Sequence, residues 1–233
     1  TLVQNSFAQV EPIAEVAEII GRHGAVLHVD ASQAAGKMPM GAFQMADLLT
    51  FSAHKLGGPA GVGALIVRHG AVREPLIKGG GQERRRRAGS ENVIGIAGFA
   101  AAAGEAGART EAMIALRRLR DAVEAELIVA GALVHGAAAV RLPNTSSVSM
   151  PGVTAETQVM AFDLAGISVS AGSACSSGKV EPSHVLKAMG LDDRTAERAI
   201  RVSFGIGNTE ADAERFIDTW KNIHSRAGKA AAA

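Results

Sequence analysis

Residues 25–30 (AVLHVD) make a short apolar run that follows a glycine and ends on a carboxylate. Behind a helical segment, a run of this kind reads as a buried parallel strand. The helical segment is Ile13–Arg22, with Ile13, Val16, Ile19 and Ile20 on one face. Residues 48–52 (LLTFS) and 63–67 (GALIV) are two further strand candidates. Strands alternating with helices define an α/β domain with a parallel sheet. Ligands of such sheets collect at the carboxyl ends of the strands, where Asp30 and the stretch Ser52, Ala53, His54, Lys55 are expected to lie.

A flexible loop opens at Gly79, Gly80 and Gly81 and runs through Arg84, Arg85, Arg86 and Arg87 to Gly89. Residues 91–126 are alanine-rich with few breakers and read as one or two long helices bridging two domains. A second α/β region follows, with strands expected at 145–150, 167–170 and 199–203 and helices at 154–164, 185–189 and 209–223. Thr209 and Asp212 have the spacing of a capping box in its acidic form. Residues 228–233 are low in complexity and are expected to fray.

The 233 residues carry 24 basic and 23 acidic side chains, a formal charge of +1, which excludes a polyanion-binding protein driven by bulk charge. One cysteine excludes an internal disulfide framework and a multi-cysteine zinc site, suits a reducing compartment, and leaves no metal site expected. No apolar run approaches the roughly 18 residues that span a bilayer. No signal-peptide pattern precedes the first helix, so a cytoplasmic protein without a membrane segment is expected. The chain begins at Thr1 rather than Met, which reads as a piece of something longer.

Lys55 ends a buried-strand pattern beside a histidine and a hydroxyl, where solvation is poor. Desolvation and a neighbouring cation lower a lysine pKa, and a neutral amine condenses with an aldehyde. Ser52, His54 and the glycines after them offer donors to a phosphate; the alternative is an ordinary strand-end lysine. Asp30 lies 25 residues upstream, the length of one strand–helix–strand crossover, so the two can share a sheet edge. A strand-end carboxylate can hold a pyridine nitrogen protonated, as an electron-sink cofactor requires, and Gln33 could bond a ring hydroxyl. The alternative for Asp30 is a helix N-cap.

Cys175 stands among Ser, Gly and Ala with no apolar period, the pattern of an exposed loop whose thiol can swing and react. The alternative is a small buried hydrophobe. Arg201 is a charge within an apolar strand pattern and needs a partner, either a substrate carboxylate or an internal ion pair. His28 reads as a satisfied strand histidine. The four arginines lack interleaved aromatics and read as a solvated or phosphate-facing loop rather than a nucleic-acid patch. The glycines match neither a P-loop nor a dinucleotide fingerprint.

Four motifs together carry a resemblance. They are His28 to Gln33 (HVDASQ), Ser52 to Lys55 (SAHK), Gly79 to Arg84 (GGGQER) with Gly89 to Asn92 (GSEN), and Gly172 to Ser177 (GSACSS). In this order and spacing, and with Glu181 to Leu186 and Arg201 to Gly205, the sequence resembles the cysteine desulfurases, class-V aminotransferase-like enzymes that depend on pyridoxal 5'-phosphate (PLP). The long cysteine loop, followed by Glu181, Pro182 and Ser183, resembles the housekeeping and nitrogen-fixation branch.

The resemblance implies an α/β, PLP-dependent transferase-like fold with a mostly parallel sheet. Residues 1–108 would be the C-terminal portion of the PLP-binding large domain, and 109–233 a smaller α/β domain with the cysteine loop. By the same resemblance Lys55 would bind the cofactor covalently and move the α-proton, with Asp30 on the pyridine nitrogen and Gln33 on the ring hydroxyl oxygen. Ser52 and His54 would hold the phosphate, and Ser90 would reach that of the neighbouring subunit in a homodimer with shared active sites. Asn5 would contact cofactor and substrate, Arg201 the carboxylate of L-cysteine, and Cys175 would take the sulfur as a persulfide, releasing L-alanine. A sulfur acceptor or iron–sulfur scaffold protein would be the partner. A selenocysteine lyase or other class-V PLP enzyme, and a non-catalytic, partner-binding remnant of the fold, are the alternatives.

The sequence departs from the family pattern at Ser6, Ala8, Arg85 and Arg86. The family also has, before the position of Asn5, a stretch with a phosphate-binding loop and a histidine that stacks on the cofactor ring; the 233 residues do not contain it. The large domain is therefore expected to be incomplete, with sheet edges and apolar helix faces uncovered.

Overall fold

The computed structural model describes residues 8–71, 74–171 and 182–232. They fall into two compact units that divide between Glu111 and Ala112, with residues 8–10 belonging to the second.

The first unit begins with helix α1 (Ile13–Arg22). Ile13 is buried, but Ile19 is 57% exposed rather than on the packed face. Six residues of α-helix turn Ile19 roughly 120° away from Ile13, whereas Val16 and Ile20 stay on its side. Strand β1 (His28–Asp30) is shorter than the apolar run, because the Ala25 N–H still bonds the helix at the Ile20 carbonyl. β1 pairs in parallel with β2 (Leu48–Ser52), Asp30 opposite Thr50. β3 (Gly63–Val67) pairs with β2 antiparallel, giving the order β1-β2-β3.

The expectation of a parallel sheet is therefore corrected at β3. A parallel return needs a crossover of a dozen or more residues. The link from Ser52 to Gly63 holds only the short 3-10 turn Ala53–Lys55, and Gly63 lets the strands close: a Cβ there would lie 2.5 Å from the Phe51 carbonyl oxygen.

Asp47 ties the sheet together at its far end. Its carboxylate accepts the Leu27 N–H at 2.9 Å, its own N–H bonds the Leu27 carbonyl, and Arg68 lies 3.4 Å from its Oδ1.

The turn α2 (Gln82–Arg85) precedes α3 (Val93–Gly104), which Asn92 caps by accepting the Gly95 N–H at 3.0 Å. α4 (Ala106–Val129) follows, so residues 91–126 form two helices, broken at Glu105. α3 is apolar throughout, yet only Gly95 and Ala102 are buried, and Ile94 is 89% exposed. Within this unit the expected uncovered apolar faces are present.

The second unit is a sheet of order β4-β5-β7-β6, antiparallel at every pairing: β4 (Leu133–Val134), β5 (Thr145–Ser149), β6 (Ser170–Ala171) and β7 (Ala199–Ser203). Its helices are α5 (Ala155–Leu164), α6 (His184–Ala188), α7 (Asp193–Glu197) and α8 (Glu210–Ala232). Val148, Ile200 and Val202 pack with Leu127, Phe162, Phe216 and Trp220, and the Phe162 and Phe216 rings stack at 5.0 Å. The capping box at Thr209 is reciprocal, with the Thr209 N–H bonded to Asp212 and the Asp212 N–H to the Thr209 hydroxyl. Residues 228–232 continue α8 instead of fraying, as a lysine and alanines of high helix propensity allow.

The Arg141–Glu124 pair and the His135–Ser149 contact are buried polar contacts of this unit. Arg141 and Glu124 form a bidentate pair at 2.7 and 2.9 Å, and the Arg141 side chain is 6% exposed. The hydrogen bond to Glu124 raises the Arg141 pKa. Around it the Val10 N–H bonds the Val140 carbonyl and the Leu142 N–H bonds the Ala8 carbonyl, so the pair anchors residues 8–10. Glu124→Ala leaves a buried guanidinium uncompensated and is expected to cost about 3–5 kcal/mol in urea denaturation. A loss below about 1 kcal/mol would mean that water reaches the pair.

His135 is buried, and burial pushes its pKa from 6.5 down to about 4. Ser149 donates to the Thr195 carbonyl, so the neutral imidazole Nε2–H donates to Ser149 Oγ at 2.6 Å. With the folded pKa depressed, the unfolded chain binds the extra proton first, so stability is full above pH 6.5 and falls as pH drops towards 4. The loss is expected to reach about 3 kcal/mol. His135→Gln should flatten that limb in urea midpoints taken across the range; an unchanged slope would assign it to other groups.

Candidate active site

Parallel pairing sets the carboxyl ends of β1 and β2 side by side, and the sequence-derived residues of the first unit follow from that register. Asp30 is the last residue of β1 and Ser52 the last of β2. Ser32 joins the two ends, its hydroxyl donating to Ser52 Oγ at 3.3 Å. Asp30 Oδ1 accepts the Ser32 N–H at 2.9 Å, a local Asx turn rather than a helix N-cap. Asp30 Oδ2 accepts no hydrogen bond among the described residues, and the side chain is exposed. Gln33 Oε1 accepts from Lys37 Nζ at 2.9 Å. His28 is exposed, its Nε2 lying 2.5 Å from Thr50 Oγ1.

His54 and Lys55 lie on the turn that follows β2, over the fully buried Ala53, and both are exposed. The poor solvation expected of Lys55 is therefore corrected, because β2 is only half-buried and the turn carries the side chain out of the sheet. Lys55 makes no ion pair among the described residues. The turn is closed by the N–H groups of Leu56 and Gly58, both bonded to the Ala53 carbonyl at 2.9 Å, and Arg109 Nη1 donates to the Leu56 carbonyl at 2.9 Å.

Ser90 ends the glycine–arginine loop and is exposed. Arg87 organises the approach to it: its Nη1 donates to the carbonyls of Ala88, Gly89 and Ser90, and its Nη2 lies 3.6 Å from Glu83. Glu83, Arg84 and Arg85 hold φ values of 48°, 55° and 65°, a left-handed turn costing about 1–2 kcal/mol per residue. A surface cavity of about 510 Å³ lies against Gly79, Gly80 and Gly81, bounded by Lys78 and Arg85.

In the second unit Arg201 is half-buried at the centre of β7, in register with Ser147 of β5 and Ser170 of β6. This polar row lies on the opposite face of the sheet from Val148, Ile200 and Val202. Asn5 and Cys175 lie outside the described residues.

Sequence reasoning missed Ser32, Arg87 and Arg109. Ser32 carried a signal, since it alternates with Asp30 at a strand end; the two arginines act on backbone carbonyls, which leaves no residue pattern to read.

The donor set at the first unit's sheet edge suits a phosphorylated aldehyde with a basic ring nitrogen. It offers one amine without an ion-pair partner, a carboxylate with an oxygen open to a ring N–H, and the hydroxyl and imidazole groups of Ser52 and His54. These residues fit PLP on their chemistry. No group of three or more histidine, cysteine or acidic side chains could hold a metal among the described residues.

The amine, the carboxylate and the hydroxyls thus lie at or just beyond the strand ends of an α/β unit. Residues 1–216 match the aminotransferase class-V family model, and the chain belongs to that family. Curated relatives carry a narrower name. The chain is 44% identical over 223 residues to a cysteine desulfurase of Gluconacetobacter diazotrophicus, covering 94% of this chain and 56% of that protein. It is 39% identical over 231 residues to cysteine desulfurase IscS 1 of Archaeoglobus fulgidus, covering 95% and 59%. Among solved structures, a NifS-like protein superposes with a TM-score of 0.86 at 36% identity, over 96% of this chain and 60% of the other. A NifS-like protein from Rickettsia africae gives 0.83 at 33%, over 96% and 60%. The chain thus spans little more than half the length of the curated relatives it matches. The α/β fold expected from the sequence is the one these structures share.

Proposed function

We propose that this chain is the cofactor-lysine and cysteine-loop part of a cysteine desulfurase, which takes sulfur from L-cysteine, releases L-alanine and holds the sulfur on Cys175. The observation that carries the reading is the β1–β2 register, which brings Asp30 and the Lys55 turn to one sheet edge. The cysteine desulfurase names of the relatives support it.

PLP, when bound, supplies an electron sink for the charge left as the substrate loses its α-proton. Lys55 supplies the amine that anchors the cofactor and then carries that proton. The Asp30 carboxylate keeps the ring nitrogen protonated, and Gln33 bonds the ring hydroxyl oxygen. Ser52 and His54 bind the phosphate, Ser90 reaches the phosphate of a neighbouring subunit, and Asn5 contacts cofactor and substrate. Arg201 orients L-cysteine through its carboxylate, a bidentate contact that an arginine fork suits. The Cys175 thiolate accepts the substrate sulfur, and a loop of small residues can carry the persulfide to an acceptor.

A homodimer with shared sites, delivery to a sulfur acceptor or iron–sulfur scaffold, and a cytoplasmic setting complete the proposal. No helix among the described residues is long and apolar enough to cross a membrane. The test is direct: the intact protein supplied with PLP and L-cysteine should form L-alanine and transferable sulfur in equal amounts. Bound PLP without alanine formation would contradict the proposal.

A further inference from the structure

Arg109 is 54 residues beyond Lys55 in the chain, and nothing in its sequence surroundings marks it. In the first unit it reaches the segment that follows Lys55. The Ala53 carbonyl accepts the N–H groups of Leu56 and Gly58, so Lys55 sits inside a doubly bonded turn. Below it the Leu56 side chain is buried against Gly36, where a Cβ would approach Leu56 Cδ1 to 2.7 Å. The Leu56 carbonyl then accepts Arg109 Nη1 at 2.9 Å. Gly57 has φ +88°, and a Cβ on it would lie 2.3 Å from Arg109 Nη1 and 2.9 Å from Nη2. The guanidinium therefore occupies the space that a side chain at position 57 would take.

Among the described residues Arg109 makes no ion pair; the one polar contact of its side chain is the Leu56 carbonyl. The other restraints on the turn among the described residues are the backbone bonds of Leu56 and Gly58 to the Ala53 carbonyl and the burial of the Leu56 side chain. A charged donor on a carbonyl outweighs a neutral one, so this bond is the strongest single polar restraint on the backbone next to Lys55. We propose that Arg109 is a positioning residue for Lys55, fixing the turn from α4 so that the amine is presented at the ends of β1 and β2. This rests on the reading of Lys55 as the cofactor amine.

The test uses Arg109→Ala and Arg109→Lys in the intact protein, with two readouts. Amide hydrogen exchange at Leu56 and Gly58 should accelerate about tenfold or more in Arg109→Ala, while Ala31 and Leu48, bonded in the β1–β2 ladder, stay unchanged. Borohydride trapping of PLP on Lys55 should slow by about tenfold. Arg109→Lys keeps one charged donor and should recover part of both effects. Unchanged exchange at Leu56 and Gly58, or a uniform rise across the whole unit, would overturn the proposal. Absence of PLP trapping on Lys55 in the unsubstituted protein would overturn the cofactor reading instead, and the exchange data would still decide whether Arg109 holds the turn.

Discussion

Lys55→Ala is expected to remove the visible absorbance that PLP gains when bound by the intact protein and to slow alanine formation at least about a thousandfold. The expected effect is large because, on the proposed function, one amine would serve twice, as cofactor anchor and as proton carrier. Lys37 donates to Gln33 at 2.9 Å, and the backbone of the Lys55 turn is fixed by two bonds to the Ala53 carbonyl. Fold stability should hardly change, since Lys55 is exposed and makes no ion pair among the described residues. A retained absorbance band in the variant would move the cofactor amine elsewhere.

Cys175→Ser should separate cofactor binding from sulfur transfer. A serine hydroxyl is far less nucleophilic than a thiolate, and the 233 residues contain no second cysteine to replace it. Sulfur release is expected to fall by about a thousandfold or more while the PLP absorbance persists. Loss of both would make Cys175 a structural residue. Equal sulfur release in the variant would assign the transfer to a different group.

Much of this site is legible in the chain because it depends on local pattern. A short apolar run ending in Asp30 and another ending in Ser52 are enough to place both at strand ends, and the structure puts them in one ladder. What escapes is set by distant geometry. The antiparallel course of β3 depends on how little chain joins it to Ser52, not on its own residues. Strand β6 starts at Ser170 rather than Ile167, because Gly166 at φ +71° ends α5 and the Ile167 N–H bonds back to the Phe162 carbonyl. The first part of that apolar run closes a helix instead of extending a strand. Helix α7 has a readable start, Asp192 accepting the Thr195 N–H, but is too short for any apolar period to show. Arg109 and Arg87 bond backbone carbonyls, a role that any arginine near a turn could fill and that spacing does not mark.

On the proposed function, substrate sulfur passes to Cys175. Mass spectrometry of the Cys175 peptide, after one equivalent of L-cysteine is added to the PLP-loaded intact protein in the absence of reductant, tests it directly. The peptide is expected to gain the mass of one sulfur atom, in step with the alanine formed, and to lose it on addition of reductant. Alanine formed with the Cys175 peptide at its original mass would rule out Cys175 as the sulfur carrier.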